Sequence, residues 1–413
     1  MLETPSRLHH QLIKFGSQYS DWADIRHLGV MCWMIVGLIG EGSVNLTRWI
    51  DHIQTKAKIA QSTQKRLSRW VNNPRINPAK LYSPIVKAVF ANWSDPEIYL
   101  TFDTSMLWDE YCLIRICVVH LGRAIPVGWR VIKHQSSSVK LATYRDLLNR
   151  VAKLLPSQPK IVLLADRGFA DAQLVRYVRQ LGWQCRIRAR RFRGKLPPKS
   201  SLIKGNFWLR HPRHGWQRVS QFPLTLGCAQ LIHNVEIHKH NSLTNVHLAI
   251  GWEETSGEKW YILSTAPTTL QTFREYGLRF TIEENFKDDK SSGFNLENSK
   301  LRSAPALSRL CLVMAMTTLF LTATGVRVVA TGQRRLVDPH WFRGSSYLKI
   351  GWSWVKRAMI HGWDLCSDIS FTTNIDPDPV KASHSQYLQK MYRIEFTAHT
   401  HVWFLKTFVR QSE

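Results

Sequence analysis

Three acidic residues stand where they could hold hard cations beside phosphate. Asp103 follows the stretch Ile98 to Phe102 (IYLTF), and Asp166 follows Lys160 to Ala165 (KIVLLA). Both stretches read as strands, the second as the continuous apolar run of a fully buried one. A carboxylate at the C-terminal end of a strand is where ligands meet an α/β sheet. Taken singly, each aspartate is more often what a turn or cap uses; the pair, on strands that could be neighbours, is the more specific signal. The third acid lies in YGLRFTIEENFKDDK, with Tyr276, Arg279, Glu283 and Lys290. At about 100° per residue, these four share one helical stripe roughly 60° wide, and Glu284 falls off it. The bland alternative is a ladder of surface charges worth a few tenths of a kcal/mol. A tyrosine and two cations around one acid, after two strand-end aspartates, favour a site.

The elements that must position these residues are legible along the chain. It has 413 residues and a mass of 47.9 kDa, enough for two or three domains with real cores. Residues 1–95 read as helical. From Arg48 to Lys87 there are nine basic residues against the single acid Asp51, and Gln61 to Trp70 (QSTQKRLSRW) has the texture of a basic helix. Ile98–Phe102, Tyr111–His120 and Arg123–Ile132 read as three successive strands, rich in β-branched and aromatic residues. Lys140–Leu155 has helical spacing, Lys160–Ala165 is a strand, Asp171–Leu181 a helix and Trp183–Ile187 a strand. That order is similar to a ribonuclease H-like α/β domain. The expected fold class is therefore α/β: a ribonuclease H-like core over 96–190 and 259–330, interrupted by an all-β insertion over 191–258. A helical, basic DNA-binding region precedes it, and a basic, aromatic region of open role follows over 331–413. Gln271 to about Ser291 reads as one long helical segment carrying the stripe.

Charge narrows the partners. Lys and Arg total 56 against 30 Asp and Glu, giving +26 and a pI near 10.1. That surplus suits a long polyanion. The stretch Arg186–Lys195 (RIRARRFRGK) has six basic residues in ten and no acid, more than edge-strand protection requires. Arg188, Arg190 and Arg191 are its candidate phosphate contacts. A membrane partner is not expected: Leu28–Gly40 is too short to span, and the threonine-bearing run Leu310–Val326 reads as a core helix. The opening MLETPSRLHHQL lacks a signal-peptide pattern, and seven scattered cysteines without a CxxC pair suit a reducing, cytoplasmic location. There is no P-loop or GxGxxG phosphate cradle, and His238 and His240 lack the partners of a zinc site.

Tyr, two residues, Arg, three residues, Glu, six residues, Lys resembles the YREK signature of DDE transposases from bacterial insertion sequences. Asp103 in TFDTS and Asp166 in LLADRGF resemble that family's first and second catalytic aspartates. The resemblance covers roughly residues 40–330. It implies two Mg²⁺ or Mn²⁺ ions held by Asp103, Asp166 and Glu283, clamping the attacking and leaving oxygens of a phosphodiester. Arg279 and Lys290 would then hold phosphates, and Tyr276 a phosphate or flanking base. Trp260 in KWYILSTAP is similar to the tryptophan segment of hairpin-forming members and would stack on a flipped base; the alternative is an ordinary core tryptophan. The implied partners are double-stranded DNA, as element ends and target, with a homodimer on paired ends near the bacterial nucleoid. Two other readings stay open: a ribonuclease H-like nuclease without strand transfer, and a domesticated, non-catalytic DNA-binding derivative.

Overall fold

Strand-forming runs and helical periodicities resolve into ten α-helices and eleven strands among the described residues of the computed structural model. Those residues are 4–20, 22–91, 93–189, 208–211, 215–219, 222–237, 242–343, 345–367, 377 and 394–403. In chain order come α1 (Thr4–Tyr19), α2 (Ile25–Glu41), α3 (Ala60–Asn72), α4 (Pro78–Ala91), β1 (Glu97–Leu107), β2 (Tyr111–His120), β3 (Arg123–Lys133) and α5 (Leu141–Ala152). There follow β4 (Lys160–Ala165), α6 (Ala172–Gln180), β5 (Gln184–Arg188), β6 (Trp208–His211), β7 (Gly215–Arg218), β8 (Cys228–Ile237), β9 (Leu243–Trp252) and β10 (Lys259–Ser264). The remainder is α7 (Gln271–Gly277), α8 (Thr281–Lys287), α9 (Ala304–Ala330), α10 (Tyr347–His361) and β11 (Ala398–Trp403). The fold is mixed α/β.

Two compact units divide the chain. One comprises Met1–Asp95, Thr104–Gln158 and Thr281–Tyr387. Its centre is α9, whose run of alanine, leucine, valine, methionine and threonine is apolar on every side. The helix is long and apolar enough to cross a membrane by length and composition, yet 94% of its most apolar window is buried inside the protein. Helices α1–α4 and α10 belong to the same unit, as does the antiparallel hairpin of β2 and β3. Helix α10 approaches α9 backbone to backbone. A Cβ on Gly325 would lie 1.9 Å from the Tyr347 carbonyl oxygen, and one on Gly351 1.8 Å from that of Leu321. Only glycine fits at either place.

The other unit comprises Pro96–Asp103, Pro159–Phe280 and Leu388–Glu413. Its sheet runs in the order β1-β4-β5-β10-β9-β8-β6-β7, with β11 beside β8. The pairs β1–β4, β4–β5 and β11–β8 are parallel, and the other described pairs are antiparallel. The strands between residues 208 and 252 do not close on themselves; through the β9–β10 pairing they extend the same sheet. Strand β11 joins from beyond NIDPDPV, a segment lying almost wholly outside the described residues.

The segment expected as one helix from Gln271 is helical but not uniform. Helix α7 stops at Gly277, Leu278–Phe280 tightens into a 3-10 turn, α8 follows, and Asp288–Ser292 widens into a π turn. Glycine weakens a helix interior by roughly 0.5–1 kcal/mol. Here the aromatic side chains of Tyr276 and Phe280 are drawn onto the unit's core around Trp260. A stripe computed for an unbroken α-helix therefore does not describe these residues.

Candidate active site

The parallel pairing of β1 with β4 puts the two aspartates side by side. The register runs Leu100↔Leu163, Thr101↔Leu164 and Phe102↔Ala165, so Asp103 and Asp166 are the next residues on two neighbouring strands. Both strands bury every side chain before that point, from Leu100 to Phe102 and from Ile161 to Ala165. The polar groups are consequently confined to the C-terminal ends. Beneath them Phe102 packs on Phe169, with ring centroids 4.4 Å apart.

Arg279 comes to Asp103 from the 3-10 turn. Its guanidinium lies 3.6 Å from the Asp103 carboxylate, with the side chains 4% and 19% exposed respectively. Its other face is covered by aromatic rings, Phe280 at 4.5 Å and Tyr276 at 5.8 Å from the ring centroids. So Arg279 is held against a carboxylate, rather than extended towards solvent for phosphate. Tyr276 is fully buried. Burial pushes its phenol well above the usual range, and among its electrostatic neighbours Arg279 and Arg188 oppose that shift while Asp166 adds to it. Tyr276 thus packs inside the core between Arg279 and the rings of Trp260 and Phe280 and offers DNA no surface in this conformation.

Glu283 and Lys290 belong to the other unit. Glu283 is exposed on α8. Lys290, expected to hold phosphate, donates to the Met106 carbonyl and lies 3.6 Å from Glu297. The neighbours of Glu283 were not anticipated from sequence. Arg115, fully buried in β2, donates to Asn285 Oδ1 at 2.7 Å and to the Asp289 carboxylate. Arg123, at the start of β3, pairs with Asp288 and with Glu284 at 3.4 Å. A lone arginine inside the apolar run YCLIRICVVH was the available signal, because a buried cation needs a buried acid.

Asp103 and Asp166 present oxygen donors of the kind Mg²⁺ and Mn²⁺ prefer. Their adjacency fits a divalent cation that keeps water for its remaining ligands, as Mg²⁺ usually does. Among the described residues no three His, Cys, Asp or Glu side chains are gathered as a metal site.

The family model of the transposase DDE domain matches residues 109–320, more than half of the chain. The chain belongs to the transposase DDE domain family. The matched span takes in Asp166, Trp260, Tyr276, Arg279, Glu283 and Lys290, and begins just after Asp103. No curated protein matches the chain. One similar solved structure is described as the cryo-EM structure of piggyBac transposase synaptic complex with hairpin DNA. It is 10% identical, over 94% of this chain and 82% of that one, with a TM-score of 0.41, a likeness too slight to carry an argument.

Two further expectations of the transposase site concern Arg188 and Trp260. Trp260 is 4% exposed on β10 and belongs to the core formed with Leu231, Ile262, Phe273 and Tyr276. Its indole N–H points to Glu253 Oε2 at 3.4 Å, and Arg188 lies 4.0 Å over its ring. Arg188 also pairs with Glu258. The indole face expected to receive a flipped base is therefore covered, and Trp260 packs as a core residue. Arg190, Arg191, His238 and His240 lie outside the described residues.

Proposed function

We propose that this chain is the DNA transposase of a bacterial insertion sequence, cutting at the element's ends and joining a 3′-hydroxyl to target DNA. The observation that carries the reading is the in-register placement of Asp103 and Asp166 at adjacent parallel strand ends, with Arg279 against Asp103. The order of three strands, helix, strand, helix and strand from β1 to β5 supports a ribonuclease H-like catalytic core.

In this reading Asp103, Asp166 and Glu283 are the metal-holding carboxylates. Bound there, two Mg²⁺ or Mn²⁺ ions supply charge stabilisation to the attacking and leaving oxygens of a phosphodiester. The chain's own residues set up that chemistry. Arg279, 3.6 Å away, fixes the orientation of the Asp103 carboxylate. Phe280 and Tyr276 exclude water from the back of that pair. Arg188, Arg190, Arg191 and Lys290 are the proposed phosphate contacts, and the helical region 1–95, with exposed Lys65 and Arg69 on α3, is the proposed DNA-binding region. Assembly as a homodimer on paired ends, and a place at the bacterial nucleoid, complete the proposal.

The test is cleavage of duplexes carrying the inverted repeats that flank the gene, with Mg²⁺ or Mn²⁺ and purified full-length protein. Strand-specific nicking at the repeat ends, lost in Asp103→Asn and Asp166→Asn, is expected; cleavage unaffected by both would refute the site. Affinity for the same duplex should fall ~10³–10⁵-fold between about 50 and 200 mM salt if roughly six to ten phosphates are neutralised. A flat salt titration would remove the polyanion reading of the +26 charge.

A further inference from the structure

Helix α8 is fastened to the β2–β3 hairpin by two arginines, and the fastening is one-sided. Asn285 and Asp289 are four residues apart, as are Glu284 and Asp288. Arg115 takes the first pair and Arg123 the second. At about 100° per residue, Asn285 lies about 200° from Glu283. The held residues thus occupy the sides of the helix away from Glu283. Ile282 and Phe286 are buried on this helix too, and the Arg115 guanidinium lies 5.2 Å from the Phe286 ring centroid. What remains exposed on α8 is Glu283 and Lys287.

The two arginines differ in what they need. Arg115 and Asp289 are each almost wholly out of water, with side chains 2% and 3% exposed. A buried charge pair of this kind is a poor source of stability compared with apolar packing, but its directional bonds accept only one rotation of the helix. Arg123 is less buried and bridges two acids one turn apart. Hydrophobic contact by Ile282 and Phe286 would tolerate small rotations about the helix axis; four acceptor side chains, two on one terminal nitrogen of Arg115 and one on each terminal nitrogen of Arg123, would not. The π turn at Asp288–Ser292 belongs to the same arrangement, since it begins at the residues the arginines hold.

We infer that Arg115 and Arg123 are positioning residues that set the rotation of α8, and through it the direction in which Glu283 is presented. The inference rests on Glu283 being the third metal-holding carboxylate. Partners that orient a ligand without touching the metal commonly govern affinity for it. Arg115 and Arg123 act here through the helix backbone, by way of Asn285, Asp289, Glu284 and Asp288.

The experiment uses the full-length protein, an end-cleavage duplex and Mn²⁺ titration, with Arg123→Gln, Asp288→Asn, their double variant and Glu283→Gln. Arg123→Gln leads because Arg115→Met is liable to unfold the unit. Arg123→Gln should raise the Mn²⁺ concentration for half-maximal nicking about tenfold. It should also speed amide hydrogen exchange over 281–290 without metal, and leave DNA affinity within about twofold because no phosphate contact is removed. Asp288→Asn should act in the same direction, and the double variant should be less than additive, because both changes break one contact. A contact that only stabilises would lower the melting temperature with the Mn²⁺ midpoint unchanged, and that result overturns the inference. Glu283→Gln separates the two layers. If it abolishes nicking while Arg123→Gln leaves the Mn²⁺ midpoint unchanged, the positioning role fails and the catalytic assignment survives. If Glu283→Gln keeps full nicking, both fail.

Discussion

Arg279 reaches Asp103 from a 3-10 turn, with its guanidinium 3.6 Å from the carboxylate and its own side chain all but excluded from water. Arg279 thus meets Asp103 directly. A cation in this place holds the acid and has little surface of its own left for a phosphate.

Arg279→Ala should therefore reduce nicking by ~10²-fold, the scale of a small misplacement in a catalytic group. DNA affinity should change by no more than a few fold, because Arg279 has little exposed surface with which to meet a phosphate. Steady-state nicking and gel-shift affinity on one duplex check both halves. A large loss of affinity with unchanged cleavage at saturating protein would assign Arg279 to DNA instead.

Removing one partner of the Arg115–Asp289 pair should destabilise the protein by ~3–5 kcal/mol, since a buried charge is left without its counter-ion. Burial, with the nearby Asp288 adding, pushes the Asp289 carboxyl above its usual range, and Arg115 opposes it. Asp289→Leu and Arg115→Met should each show this loss in denaturant unfolding, and the Arg115→Met/Asp289→Leu double variant should recover much of it. Additive losses in the double variant would show that the pair is not the source.

Trp260→Ala should cost ~3–5 kcal/mol, the usual loss for an aromatic side chain truncated in a core. Trp260→Phe should cost less by keeping most of the packing. Melting temperature and every cleavage step should fall together. Selective loss of hairpin formation with an unchanged melting temperature would instead mean that the indole leaves the core to stack on DNA.

Acid should loosen the sheet unit through His247. Burial first, then the nearby His233, Arg179 and Arg186, lower its pKa to about 4, against about 6.5 in an unfolded chain. The unfolded state thus binds the proton more readily, so the contribution of neutral His247 is complete above about pH 6.5 and is lost as pH falls towards about 4. Melting temperature followed between those pH values should drop more steeply in the wild type than in His247→Gln. Parallel curves would place the acid sensitivity elsewhere.

Local order was open to reading from sequence. Strand β4 begins and ends with the apolar run KIVLLA, and β2 spans YCLIRICVVH, because backbone pairing in a buried sheet favours β-branched and apolar residues over a bounded stretch. The core position of α9 could be foreseen for a similar reason: its run Leu310–Val326 carries no charge and several threonines, the composition of a helix packed by protein. Both aspartates could be named from those strand ends, since the change from apolar to acidic marks where a sheet meets solvent.

Side-chain partners were another matter. That Asp103 and Asp166 are neighbours depends on β1 pairing with β4 across an intervening hairpin and helix, which no local pattern encodes. The helical stripe assumed a constant turn per residue, and the burial of Tyr276 and Phe280 against Trp260 broke that regularity. Trp260 itself has the same sequence whether it faces a base or a core; only the packing of Tyr276, Phe273 and Arg188 around it decided. Sequence alone determined which residues are acidic, basic or apolar and the local elements that carry them. The tertiary structure decided which charges meet, because a buried charge is satisfied by whatever counter-charge the fold brings close, however distant in the chain: Arg115 by Asp289, and Arg279 by Asp103.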